Sequence, residues 1–187
     1  MKQHHIYPAL ADLRQDIAGE IPVDLIKAWT ASAQDEAAHE KLLAPYKRRG
    51  TIVCSDSAGL SKLSASRHLI DVMKLVSQPK EIIHAYGTAI GGRAVGVWSA
   101  DNTEMFYEEP ISPLRVINQM VAASADLAKL EVKIGLGIHE ADIYEIGGGL
   151  FGTEADEVEL LAEDLTEGGE IAVTDTIAKK LPSEYSR

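Results

Sequence analysis

From Thr51 onward, short apolar runs alternate with helical stretches, and this pattern constrains the fold more than any other feature of the sequence. Strands are expected at 51–55, 89–98, 103–107, 131–138, 141–146 and 170–174. Helices are expected over Ala65–Tyr86 with an interruption near Pro79, over 112–129 and 155–166, and from Asp175 onward. Two strand links are short enough for hairpins: the turn "SADN" at 99–102 and the step between 138 and 141. Strict alternation of strand and helix would build a doubly wound sheet. Helix-joined strands mixed with hairpins build a split βαβ sheet instead. The expected class is therefore α+β, a ferredoxin-like βαββαβ sheet with an added βαβ and helices packed on it.

Residues 1–49 read as a helical N-terminal arm, and 50–187 as the domain proper. Helices are expected over Pro8–Ala18 and Pro22–Leu43. In the second, Val23, Ile26, Trp29, Ala33 and Ala37 recur at helical spacing and form one apolar stripe. The cations of "KRRG", Lys47–Gly50, are expected to close this arm at a helix end, where they oppose the dipole favourably.

Charge narrows the range of partners. With 18 Lys plus Arg against 29 Asp plus Glu, the net charge of −11 leaves no basic face for nucleic acid or an anionic membrane. No Lys or Arg falls between Lys133 and Lys179, whereas 154–170 carries Glu154, Asp156, Glu157, Glu159, Glu163, Asp164, Glu167 and Glu170. The single cysteine, Cys54, excludes an internal disulfide and a Cys-cluster zinc site, and reads as a small buried hydrophobe. No signal-peptide pattern stands in the sequence, nor an apolar run of about 18 residues. A cytoplasmic protein is expected.

The stretch "VCSDSAGLSKLS", residues 53–64, places Asp56 just past the expected end of the first strand, where a carboxylate can face a ligand. Asp, Ser and Gly after a strand also describe an ordinary turn. Read on its own, the stretch leaves both open.

Three separated stretches together resemble the class III nucleotide cyclase catalytic domain. "VCSDSAGLSKLS" is similar to that family's first metal motif, Asp-x-x-Gly-(Phe or Leu)-(Ser or Thr). "IGGRAVGVW", 90–98, resembles its central hairpin Ile-Gly-Asp-x-x-Met-Ala-Val-Phe. Residues 134–174 resemble its long segment from Gly-Ile-His-x-Gly to Gly-Glu-Ile-x-Val-(Ser or Thr). The likeness covers roughly residues 50–180 and implies the nucleotide cyclase homology fold.

The resemblance also implies roles. Asp56 would bind one of two divalent ions, Mg²⁺ or Mn²⁺, which hold a nucleoside triphosphate and activate its 3′-hydroxyl. Ser57 would offer its carbonyl, and Gly59 and Leu60 would present backbone N–H groups to phosphate oxygens, with no room for a side chain at Gly59. The second carboxylate should follow Ile90-Gly91, but Gly92 and Arg93 stand there. Arg93 would then neutralise phosphate, or simply be a solvated strand residue. Thr88 occupies the position of the base-reading Lys. Glu159 and Glu163 occupy those of an Asn and a transition-state Arg; a second register gives Asp156 and Leu160 instead. Gly152 falls at the base-contacting Asp. The family's closing hairpin, with its phosphate-binding Lys, is expected to be missing after "LPSEYSR".

The expectation is thus a catalytically degenerate cyclase-like domain that acts in cyclic-nucleotide-type signalling as a regulatory or sensory homodimer, with a weakened metal site still able to take a purine nucleoside triphosphate. The alternatives are an active divergent adenylate or guanylate cyclase, or a pure interaction module whose N-terminal helices dock a protein partner.

Other residues read more plainly. His139 is expected as a core histidine, which Glu140 and Asp142, alternating with Ala141 on a strand, could join in an adventitious metal site. Glu159 and Glu163 would need a third oxygen donor to hold Ca²⁺. His39, His68 and His84 have no ligand-spaced partner, "GGG" at 147–149 is a turn, and Trp29 and Trp98 belong to a core or an interface.

Overall fold

The computed structural model describes residues 20–33, 35–98 and 101–185, so the expected helix Pro8–Ala18 lies outside it. Two helices, α1 (Val23–Ala31) and α2 (Glu36–Leu43), replace the single helix expected to Leu43. The break has local causes. Ser32 is extended and its hydroxyl donates to the Trp29 carbonyl, while Asp35 caps α2 by accepting the Ala38 N–H at 2.8 Å. No residue of either helix is fully buried.

The central strand β1 (Lys47–Ala58) pairs antiparallel with β3 (Thr103–Glu108) on one side and β4 (Lys133–Ile146) on the other. The short β2 (Arg93–Ala94) flanks β3, while β5 (Gly149–Phe151) and β6 (Ile171–Val173) both pair with the outer edge of β4. The order β2-β3-β1-β4 is that of the ferredoxin-like split βαβ, as expected. The helices are α3 (Leu60–Ser64), α4 (Leu69–Ala89), α5 (Pro113–Leu127), α6 (Thr153–Glu163) and α7 (Asp175–Ala178).

Several boundaries differ from expectation for one reason, the long β1–β4 ladder. It runs unbroken from Lys47↔Tyr144 to Ala58↔Lys133. "KRRG" therefore lies on a strand and not at a helix end, and the two strands expected at 131–138 and 141–146 are one. The strand expected at 89–98 shrinks to two residues because α4 continues to Ala89, passing through Pro79 without ending. A hairpin absent from the expectation joins β4 to β5 through Gly147 and Gly148, whose φ values of 60° and 84° suit a tight two-residue turn.

Each face of the sheet carries a core. Val53, Met105, Leu136 and Ile138 pack beneath α4 and α5 with Ile83, Val116 and Met120. On the opposite face Ile52, Cys54, Phe106 and Ile143 meet Ala155, Val158 and Ala162 of α6. The helix comes close because β4 has glycine beneath it: a Cβ at Gly137 would stand 2.9 Å from the Val158 carbonyl oxygen. That approach sets α6 over the end of β1.

Candidate metal and nucleotide site

Asp56 lies within a strand, contrary to the expected position past its end. Pairing with β3 stops at Ser55↔Thr103, but pairing with β4 continues through Asp56↔Gly135 to Ala58. One side of the ladder is thus open at Asp56. Alternation puts its side chain on the α6 face with Cys54, half-buried, where it accepts the Ser57 N–H.

Ser57 points the other way, and its hydroxyl donates to Asp101 Oδ2 at 2.5 Å. Asp101 sits in the connection between β2 and β3, and its charge reaches Asp56. Burial raises the Asp56 carboxyl above the usual carboxylate range, and the repulsion of Asp101 and then Glu163 adds to the rise. A second carboxylate, that of Asp101 in the turn "SADN", therefore lies within electrostatic reach of Asp56. Position 92 could not have supplied it. Gly92 is buried under Tyr107, and a Cβ there would lie 2.3 Å from the ring. The signal was available in "SADN": an acid in the hairpin connection beside the free edge of β1.

Lys80 on α4 donates to the Trp98 carbonyl at 2.8 Å. Burial lowers its affinity for the proton, and Asp101 partly restores it.

The structure also keeps Gly59 and Leu60 beside Asp56. Gly59 has φ 81° and caps α3, a left-handed backbone that favours glycine, while the space a side chain would fill is open. Leu60 begins α3.

Arg93 is not brought to this site. It pairs across to Phe106, which pairs with Ile52, so it stands four rungs from Asp56, roughly 13 Å along the strand. Its guanidinium grips both oxygens of Glu145, at 2.5 and 2.7 Å, and lies over the Phe106 ring. Thr88 sits in the last turn of α4, where its hydroxyl donates to the His84 carbonyl.

A cleft of about 230 Å³ opens on the α6 side, lined by Cys54, Thr103, Glu104, Leu150, Glu159 and Glu163 among others. Among the described residues no Lys or Arg lines it. Glu104 is pushed up to about 7 by burial and then by the neighbouring Glu159. Burial, followed by Glu163 and Asp156, raises Glu159 in turn. Of the second register, Leu160 is half exposed and Asp156 stands at the surface. Gly152, before α6, brings no carboxylate. Burial and these same acids raise the Cys54 thiol, which keeps it unreactive.

His139 is buried, as expected, but its neighbours differ from those expected. Glu140 pairs with Lys180, and Asp142 pairs with Arg49 at 3.4 Å. His139 instead meets Thr174, Glu154 and Glu157. Among the described residues, these last two and His139 are the group of three whose ligand atoms lie within 4.8 Å of one another, and Glu159 and Glu163 gather no third donor at that spacing. His39 accepts from Trp29, His68 caps α4, and His84 packs edge-on against Trp98.

No protein-family model matches the chain, and no curated protein does. Its fold is nonetheless that of adenylyl and guanylyl cyclase catalytic domains. It superposes on the adenylyl cyclase CyaB from P. aeruginosa with a TM-score of 0.62 at 14% identity, covering 71% of this chain and 80% of that one. The guanylyl cyclase Cya2 gives 0.59 at 20% identity over 71% and 78%. The guanylate cyclase domain of RhGC from Catenaria anguillulae, in complex with GTP, gives 0.62 at 14% identity over 71% and 82%. Among the described residues no helix is long and apolar enough to cross a membrane.

Proposed function

We propose that this chain is a cyclase-fold signalling domain that holds Mg²⁺ or Mn²⁺ between Asp56 and Asp101, binds a purine nucleoside triphosphate as a homodimer, and has lost most cyclase turnover. The donor set suits the ion: two carboxylates, one of them raised by burial and by the other, are relieved by a hard divalent cation. Ser57 would orient Asp101 and the strand would orient Asp56. A bound ion would supply positive charge to phosphate oxygens. Gly59 and Leu60 would bring backbone N–H groups to the same phosphates.

The observation that carries the loss of turnover is the wall of the adjoining cleft, where Glu159 and Glu163 stand and, among the described residues, no Lys or Arg does. Removing one group that stabilises transition-state charge costs about 10²–10³ in rate. A carboxylate in place of a cation adds repulsion toward the triphosphate. Dimerisation follows from fold analogy, since closed two-fold pairs are the commonest assembly.

A second reading, an active divergent adenylate or guanylate cyclase, is favoured by the Asp56–Asp101 pair itself. One experiment separates the two. Concentrated protein is incubated with Mn²⁺ and ATP or GTP, and cyclic nucleotides are quantified by chromatography beside Asp56→Ala and Asp101→Ala. Binding by equilibrium dialysis without product supports the first reading. Product that requires both aspartates overturns it in favour of the second, and absence of both binding and product overturns both.

A further inference from the structure

His139 projects from β4 toward the first turn of α6 with only 2% of its side chain exposed. One ring nitrogen is fixed: Nδ1 stands 2.8 Å from Thr174 Oγ1, and Thr174 is itself tied to β4 through its N–H to the Ile138 carbonyl. The other nitrogen, Nε2, is aimed at two carboxylates one turn apart on α6, Glu154 at 2.6 Å and Glu157 at 3.9 Å. A ring nitrogen and a carboxylate oxygen 2.6 Å apart share a positive centre, either a proton or a metal ion.

Charge favours the ion. Of the ion-pair contacts among the described residues, those of Glu154 and Glu157 are to His139, and no Lys or Arg occurs between Lys133 and Lys179. With a neutral imidazole the group carries two negative charges at the rim, and the carboxylates are 47% and 55% exposed, so an ion can enter from solvent.

We propose that His139 Nε2, Glu154 and Glu157 form a site for a divalent transition ion of the Zn²⁺ class, separate from the Asp56–Asp101 pair, that clamps α6 to β4. One imidazole and two carboxylates with a fourth position open to water is a zinc-type donor set. Ligand atoms around a tetrahedral ion with bonds of about 2.0–2.1 Å stand roughly 3.3 Å apart. The two separations from Nε2 bracket that value, so small rotamer changes complete the site. Thr174 then plays the supporting part that orients a ligating histidine. Since α6 also carries Glu159 and Glu163 into the cleft, occupancy of the clamp would set the position of that wall.

The test is equilibrium dialysis of the full chain against Zn²⁺ alone, with Asp56→Asn/Asp101→Asn removing the other candidate site. That double variant is expected to retain one Zn²⁺ per chain, and adding Glu157→Gln or Glu154→Gln is expected to weaken its binding by about tenfold or more. Both glutamates are partly exposed, and circular dichroism checks that the variants fold. Zn²⁺ should also raise the Tm of the double variant more than that of its Glu157→Gln derivative. Failure of the double variant to retain Zn²⁺, or equal retention after both glutamine changes, would overturn the proposal.

Discussion

The two ends of the central strand carry opposite electrostatic arrangements. At the Lys47 end, acids and cations are matched across the sheet. Arg48 lies 3.7 Å from Glu145, Arg49 lies 3.2 Å from Glu109 and 3.4 Å from Asp142, and Arg93 closes on Glu145. At the Asp56 end, burial raises the carboxyls of Asp56, Glu104 and Glu159, and neighbouring acids add to each rise: Asp101 and Glu163 at Asp56, Glu159 at Glu104, and Glu163 and Asp156 at Glu159. The field of Asp101 also reaches Lys80. The matched end is explained by the fold. The unmatched end keeps like charges close in a partly buried place, an arrangement that costs stability unless protons or a ligand relieve it.

The largest expected effect tests where the second carboxylate belongs. Gly92→Asp would drive a charged side chain into the Tyr107 ring, and should cost about 3 kcal/mol or more in urea unfolding. A stable Gly92→Asp protein with tighter Mn²⁺ binding would restore the register anchored on Ile90-Gly91 and break the contrast between the two ends. Next in size, Asp101→Asn and Asp56→Asn should each weaken Mn²⁺ binding, followed by water-proton relaxation, by about 10–100-fold. An unchanged affinity in Asp101→Asn would reduce its role to a partner of Ser57.

A smaller effect concerns pH. Folding raises Glu104 from its ordinary value of 4.5 to about 7, so the folded state binds more protons than the unfolded chain across that window. Stability from this group is therefore lost as pH rises from about 4.5 to 7. Glu104→Gln should flatten the dependence of Tm on pH and stabilise the protein at pH 8 by about 1–2 kcal/mol. A Tm that rises for wild type through this window while Glu104→Gln stays flat would contradict the assignment. Smallest of all, Arg93→Gln should cost about 1 kcal/mol or less and leave Mn²⁺ binding unchanged, because its partner Glu145 lies at the matched end. A clear loss of nucleotide affinity in Arg93→Gln would return this residue to the site.

Legibility in the sequence followed the range of the interaction. Local pattern revealed the strands around Val53, Phe106 and Ile138, the Ser112-capped helix α5, and the turn at Gly147–Gly148. It also marked Asp56 and Gly59, because a motif of a few residues carries them. Asp101 was missed because its meaning depends on a hairpin meeting the edge of β1 more than 40 residues earlier in the chain, at Ser57. Arg93 was misplaced for the converse reason: adjacency to Gly92 in sequence says nothing of four rungs of sheet between it and Asp56. The group around His139 was invisible for the same cause, since Glu140 and Asp142 are its neighbours in sequence while Glu154 and Glu157 are its neighbours in space.

By itself, the sequence determined the class of the fold, the net negative charge, and the presence of one carboxylate and one glycine turn at the end of the first strand. Those properties rest on periodicity, composition and backbone preference, which act over a few residues at a time. Only the tertiary structure decided which acids face one another and which are neutralised. Charge interactions depend on distance and burial in space, and the β1–β4 ladder, the hairpin carrying Asp101 and the close seat of α6 over Gly137 set both.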